Sequence, residues 1–468
     1  MSNQLARVGC VASGTAIGLI SNGLSFFLLI YYSQVVGLDP ALAGLALMIS
    51  LVFDAVSDPL VGRWSDRLQH RLGRRHPFLY LAAAPAAMAY SFIWVVPDLG
   101  QTGQFVYLLV MAVTLRLLVT LHVVPFSALL PEIARDYDQR TDLQNHWYAS
   151  SWFMGTIMAV VMYAVFLADG EGAAVGSGVL RAEGYIQAGW TAGIVVLVCM
   201  FGAAIATRKY VPLLARPEPR VKTLRQAVHE SLSTFSDRNF AAIAGSGIAS
   251  SAAAGTSTAL WAYLQPYFWG FNSDQTSMML AAQLLSAVAA YFATPYLTSG
   301  REKRSVLIHL SVWSLIVAAG PIYLTLPGLF PTAGDVLFSV MLVVGVVQVT
   351  LIVMSQTLFA SMIADIVESR ELQTGRREEG LLVSVQSFIG KAATGLGIWI
   401  GGVLLAIASF APDGDHAVST AAVQTLGWVY APSLTVLYVL SIAALYFYSL
   451  DRATHNQNLV QLKESYGQ

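Results

Sequence analysis

The sequence predicts an all-α membrane protein of twelve transmembrane helices, arranged as two pseudo-symmetric six-helix bundles with both termini inside. Three observations predict it. Of 468 residues, 56% are apolar and 11% are charged, against roughly 25% charged in an average soluble domain. Twelve apolar runs reach the length of about 20 residues that crosses a bilayer. Landmarks recur half a chain apart: Glu132 and Asp365 are separated by 233 residues and Pro59 and Pro295 by 236, where half the chain is 234.

The runs are 8–37, 41–62, 76–97, 104–131, 145–168, 185–208, 239–269, 276–298, 304–326, 335–364, 379–409 and 424–449. The first exceeds a signal-peptide core, shows no small-residue cleavage site and leads straight into the second, so it reads as a retained anchor. Orientation follows the placement of Lys and Arg. With the N-terminus inside, all 26 Lys and Arg fall on the cytoplasmic side except Arg116, Arg181 and Lys391. Arg181 lies in an outer loop, and the other two lie within spans. The opposite topology would place nearly all positive charge outside.

A mean hydropathy of +0.61 excludes a soluble enzyme, a nucleic-acid binder and a disordered scaffold as starting points. The 26 basic and 27 acidic residues nearly balance, so no global basic field points at nucleic acid. Cys10 and Cys199 both lie in apolar runs and read as packing residues. No His-Glu-x-x-His, Cys/His metal spacing or Walker loop occurs, so neither an intramembrane enzyme nor ATP-driven export is expected. The expected partners are a small-molecule substrate and membrane lipids.

The expected divisions are a first bundle over 1–208, a cytoplasmic loop over 209–238, a second bundle over 239–450 and a cytoplasmic tail over 451–468. In the loop, Val221, Leu224, Val228 and Leu232 recur at helical spacing, which predicts a short amphipathic helix on the inner membrane surface. Glu132 and Asp365 end spans 4 and 10, and Pro59 and Pro295 end spans 2 and 8. Two matches at nearly one offset indicate duplication. Six plus six spans in parallel repeat is a transporter plan, with the ligand site near the midplane.

Charges inside spans are costly, and so point to function. Asp54 and Asp58 are i and i+4 on span 2, about 6 Å apart on one helix face, with Ser57 beside them. Two such carboxylates in low dielectric hold a cation or a proton; alternatively they sit at the inner membrane edge and pair with loop arginines. Lys391 lies twelve residues into span 11, roughly 18 Å deep at about 1.5 Å per residue. Arg116 lies twelve residues into span 4. It is open either to pairing with Asp54 or Asp58, or to clamping an anionic substrate. His122, near that face, is a packing histidine or a proton carrier. The cytoplasmic segment with Gly62, Asp66, Arg67, Gly73, Arg74 and Arg75 is a candidate conformational latch. Gly62 would allow close helix approach and Asp66 would accept hydrogen bonds; a plain positive-inside cluster is the alternative.

The order of residues carries a resemblance. Asp54, Ser57, Asp58, Pro59 and Gly62 are followed by Ser65-Asp66-Arg67 and Gly73-Arg74-Arg75-His76-Pro77. Then come Pro125-Phe126-Ser127, Asp136-Tyr137-Asp138-Gln139-Arg140-Thr141, Ala364-Asp365-Ile366-Val367 and Ser384-Val385-Gln386 through Lys391. Through these landmarks nearly the whole chain resembles the major facilitator superfamily, and within it the glycoside–pentoside–hexuronide:cation symporters, typified by melibiose permease. The resemblance implies the major facilitator fold and a bacterial inner-membrane location. It also implies alternating-access symport of a glycoside- or uronide-type solute, coupled to Na⁺ or H⁺ and with no other cofactor, by a monomer. Lysophospholipid symporters share this branch, so an anionic amphiphile is an alternative substrate, and an uncoupled or exporting carrier an alternative mode.

The resemblance places the cation at Asp54, Ser57 and Asp58. The family's third carboxylate falls at Val123, which leaves Na⁺ and H⁺ both open. It gives Lys391 a role linking cation and substrate. The two residues that clamp a galactoside in the family fall at Gly18 and Tyr148, which argues against a melibiose-like disaccharide. Asn22, Ser25, Arg116, Tyr148, Trp152, Gln386 and Lys391 remain as candidate substrate contacts. Tyr148 and Trp152, i and i+4, would stack on a sugar face or lie along an acyl chain, unless they are core aromatics.

Overall fold

The computed structural model describes residues 4–134, 137–170, 172, 174–213, 234–330, 334–374, 379–410 and 418–465. These are helical, with no strand among them. The helices are α1 (Gln4–Val35), α2 (Pro40–Arg67), α3 (His76–Phe92), α4 (Gln101–Ile133), α5 (Tyr137–Val161) and α6 (Ala182–Thr207). They continue with α7 (Arg238–Tyr263), α8 (Ser273–Thr298), α9 (Lys303–Thr325), α10 (Asp335–Thr374), α11 (Glu379–Ile407), α12 (Thr420–Leu445) and α13 (Arg452–Ser465). Ten of them are long and apolar enough to cross a membrane. The two sequence-predicted spans outside that set are α3, at 17 residues, and α7, whose Gly, Ser and Thr residues dilute its apolar character. The predicted amphipathic helix, Val221 to Leu232, lies outside the described residues; Arg208–Leu213 forms a 3₁₀ turn.

Two compact units form. The first comprises Met1–Arg220, Thr258–Ala281 and Ile398–Val423; the second comprises Val221–Ser257, Ala282–Gly397 and Gln424–Gln468. The C-terminal ends of α7 and α11 thus belong to the first unit. There Ser33 Oγ lies 2.5 Å from the Tyr263 hydroxyl, and Gln34 Nε2 donates to the Phe410 carbonyl at 2.7 Å. The core of the first unit gathers Phe126, Leu129, Leu130, Leu143 and Trp147. That of the second gathers Phe240, Ile243, Met362, Ile366 and Tyr448.

Local chemistry explains the helix ends. Asp39 caps α2 by accepting from Ala41 N at 2.9 Å and Leu42 N at 3.0 Å, with Pro40 pre-set for the first turn. Four features repeat at the offset seen in the sequence. Single π-turns at Tyr31–Val35 and Leu264–Phe268 end α1 and α7. Gly37 and Gly270 follow, both with positive φ (82° and 69°). Asn272 then caps α8 as Asp39 caps α2, accepting from Gln275 N at 2.8 Å. Finally, Glu132 and Asp365 each receive a basic side chain from the start of the preceding helix: Arg74 at 2.6 Å and Lys303 at 2.7 Å. All four pairs are 233 residues apart. The 236-residue spacing of Pro59 and Pro295 falls beyond a break in α8 at Gln283.

Candidate ion-binding and translocation site

α2 packs along α4, and this crossing builds the polar centre of the first unit. Asp54 and Ser57 are buried, at 5% and 4% exposure, and Asp58 is half-buried. Ser57 donates its hydroxyl to the Asp54 carbonyl at 3.0 Å, so its proton is committed to its own helix. Across the crossing, Thr120 Oγ1 lies 2.7 Å from Asp54 Oδ1 and 3.2 Å from Asp58 Oδ1. A threonine hydroxyl carries one proton. That proton goes to one carboxylate oxygen at a time. Pro59 has no N–H for the Ala55 carbonyl, so a further oxygen stands in the same turn.

Arg116, one turn before Thr120 on α4, is half-buried, and the charges of Asp54 and Asp58 act on it directly. Its Nε is buried without a hydrogen-bond partner. His122 is fully buried, stacked on Phe126, and 3.1 Å from Ser13 Oγ. Ser13 also accepts from Trp147 Nε1 at 3.2 Å, so its own proton is available to the imidazole. Val123, at the position of the missing carboxylate, packs against the apolar core.

The substrate candidates divide between the units. In the first, Asn22 donates to the Gly18 carbonyl at 3.2 Å and lies against Gly155 of α5. Ser25 is half-buried. Tyr148 is 66% exposed, while Trp152 is half-buried with Phe153 edge-on at 5.3 Å. Gly18 is a helix-crossing residue: a Cβ there would overlap the Ser151 backbone. In the second unit, Gln386 borders a cavity and Lys391 stands half-buried one turn further along α11.

Three of the predicted latch residues, Asp66, Arg74 and Arg75, form an ion network within the first unit. Arg75, 6% exposed at the start of α3, pairs with Asp66 Oδ1 at 3.3 Å and donates through Nε to Glu132 at 3.0 Å. Its Nη2 also bonds Glu132, and Arg74 joins at 2.6 Å. The centre of the network is therefore Glu132, which sequence reasoning used only as a repeat landmark. Gly73 is needed, with φ of 75° and Val211 at 2.8 Å from any added Cβ. Gly62 corrects its expectation: a Cβ there would meet Val124 at an ordinary 3.5 Å, so no close approach depends on it. Arg67 is exposed at the end of α2.

Thr120 was the main omission. A threonine in an apolar run carries no signal by itself; its spacing of four from Arg116 was the one available hint.

A helical membrane protein with buried carboxylates at a helix crossing belongs among the transporters. The chain matches the family described as MFS/sugar transport protein over residues 10–452, and it belongs to that family. It is an integral multi-pass membrane protein. An uncharacterized symporter of Synechocystis sp. is 25% identical over 95% of this chain and 94% of its own length. An isoprimeverose transporter of Lactiplantibacillus pentosus is 25% identical over 94% of this chain and 87% of its own. A sodium-dependent lysophosphatidylcholine symporter of Gallus gallus is 34% identical over 30% of this chain and 26% of its own. Among solved structures, a bacterial homolog of the lysosomal transporter Spinster shares the fold at a TM-score of 0.68 and 14% identity, covering 98% of this chain and 99% of that one.

Proposed function

We propose that this protein is a secondary active transporter that couples the inward movement of a glycoside-type solute to Na⁺ or H⁺. Twelve membrane crossings with both termini inside would carry it, in the bacterial inner membrane. The observation that supports it most is the single Thr120 proton facing two carboxylates. Two carboxylates gathered on one hydroxyl inside a membrane-spanning bundle form a costly polar centre that a coupling cation or proton can join. Asp54, Asp58, Thr120 and the Ala55 carbonyl are oxygen donors suited to a hard cation, and the same carboxylates suit a proton. The full-length similarity to an isoprimeverose transporter favours a sugar over a lysolipid, because the lysophosphatidylcholine symporter matches only about a third of the chain.

The test is uptake into right-side-out vesicles with imposed Na⁺ or H⁺ gradients. Asp58→Asn keeps the shape and removes a charge. It should abolish gradient-driven accumulation while downhill exchange of the same solute continues. Undiminished accumulation in Asp58→Asn would overturn the coupling assignment.

A further inference from the structure

Asp365 is the repeat counterpart of Glu132, and the charges gathered on the two residues match in number and differ in kind. In the first unit two acids, Glu132 and Asp66, meet two arginines, and Arg75 touches both acids. In the second unit two acids of α10, Asp365 and Glu368, meet Lys303 and His455. Lys303 Nζ lies 2.8 and 2.7 Å from the two oxygens of Asp365. His455 takes the part of the bridging arginine: its Nδ1 is 3.4 Å from Asp365 Oδ1 and 3.2 Å from Glu368 Oε2. Arg304, next to Lys303 as Arg75 is next to Arg74, donates instead to the Tyr446 carbonyl at 3.1 Å. The bridging cation of the first unit is thus permanent and stands at the start of α3. That of the second is titratable and belongs to α13.

α13 packs on α10 with little apolar surface of its own. Its 14 residues include three large apolar ones, Leu459, Val460 and Leu462, and Val460 is 56% exposed. Its first turn is pinned. Arg452 N donates to Glu302 at 3.1 Å, and Asp451 Oδ1 accepts from Thr454 N at 2.8 Å. His455 then ties the helix to α10. Within the quartet of Asp365, Glu368, Lys303 and His455, a protonated imidazole balances the charge and directs its Nδ1–H between two carboxylates. A neutral imidazole keeps at most that N–H and brings no charge. The other charged groups at this end are Arg370 and Glu371 on α10, Arg301, Glu302 and Arg304 at the start of α9, and Asp451 and Arg452 on the approach to α13. Asp237 stands close as well, since its charge acts with those of Asp365 and Glu302 on the Tyr448 hydroxyl.

We infer that α13 is a pH-operated strap: protonation of His455 seats it on Asp365 and Glu368, and loss of that proton frees it beyond its first turn. Imidazole ordinarily changes charge between about pH 5 and 8, whereas the arginines of the first unit keep theirs. A proton held more tightly in the docked state strengthens docking as pH falls, until the carboxylates themselves protonate. A divalent cation at the same place would meet the Lys303 ammonium already on Asp365, which favours the proton. Docking follows from contacts within the second unit alone. That the strap senses internal pH rests on the reading that both termini are inside.

The experiment is hydrogen–deuterium exchange of the full-length protein in lipid nanodiscs at about pH 6 and about pH 8, either side of the imidazole range. Rates are corrected for their intrinsic pH dependence, and both buffers contain EDTA. The amides of 456–462 should be severalfold better protected at the lower pH. His455→Arg should keep the high protection at both values, and His455→Gln the low protection at both, with thermal melting confirming that each variant folds. Equal protection of the wild type at the two pH values overturns the proposal. So does a pH step that persists in His455→Gln. An epitope tag after Gln468, probed by antibody in right-side-out and inverted vesicles, tests the orientation separately. A tag reached only from inside supports sensing of internal pH. A tag reached from outside overturns that assignment, and with it the reading of both termini inside, while the exchange result stands.

Discussion

Thr120 and Asp54, on different helices, share one hydrogen bond of 2.7 Å, and the same hydroxyl lies 3.2 Å from Asp58. The hydroxyl thereby ties α4 to the carboxylate pair of α2. Thr120→Val removes the donor and keeps the branched shape. It should lower the apparent affinity for the coupling ion about tenfold, since a hydrogen bond to a charged group contributes roughly 1.5–3 kcal/mol. Thr120→Ser should retain most of the affinity. Ion-dependence curves of uptake for the two variants provide the check; equal curves for Val and Ser would make Thr120 a packing residue.

Glu132 predicts a different kind of failure. Three donor contacts from Arg74 and Arg75 converge on it, and Arg75 is almost fully buried. Glu132→Gln leaves the buried Arg75 guanidinium with only the more exposed Asp66 as counter-charge, which should cost on the order of 3 kcal/mol. Asp66, with a side chain 56% exposed, holds Arg75 from the solvent side, and Asp66→Ala should cost under about 1 kcal/mol. Thermal melting in detergent ranks the two. If Asp66→Ala is the more damaging, the network is centred on the loop and not on Glu132.

The sequence exposed features that repeat along one chain segment and hid those made by helix crossings. Asp54 and Asp58 were legible because i and i+4 share a face, and the duplication was legible at Glu132 and Asp365. Thr120 was not, because its meaning comes from α2, 62 to 66 positions away. Nor were the paired π-turns of α1 and α7, since an apolar run fits α and π windings equally well. The weight of the latch was misplaced for a similar reason: Asp66 is adjacent to the arginines in sequence, while Glu132 reaches them only through the fold.

Gly18 bears on substrate choice. The resemblance places a sugar-clamping aspartate at this position, and its absence read as a missing contact. The fold supplies a steric reason: α1 and α5 cross at Gly14 and Gly18, where any Cβ overlaps backbone of α5. Gly18→Asp should therefore fail to restore galactoside binding and should destabilise the first unit. Gly18→Ala should already lower the melting temperature by several degrees, as an overpacked site costing about 1–3 kcal/mol would. Galactoside binding gained by a stable Gly18→Asp would mean that α1 can move away from α5 there.

If the carboxylate pair holds the coupling ion, Arg116 should govern how tightly it is held. It lies one turn before Thr120 on α4, and its positive charge acts on Asp54 and Asp58. A guanidinium cannot lose its proton in a protein, so it is a permanent competitor for the coupling ion at the carboxylates. Such competition would keep the ion exchangeable, which a transport cycle needs in order to release it. Arg116→Gln removes the competitor. The carboxylates should then bind Na⁺ or H⁺ more tightly, on the order of tenfold for a loss of one nearby charge, while turnover falls because release slows. Arg116→Lys keeps the charge and should keep the ion affinity near that of the wild type. Half-saturation for the coupling ion and the maximal exchange rate, measured together in proteoliposomes, decide the matter. Tighter ion binding with slower exchange in Arg116→Gln alone supports the assignment. Weaker ion binding in both variants would mean that Arg116 positions Thr120 by packing and that its charge plays no part.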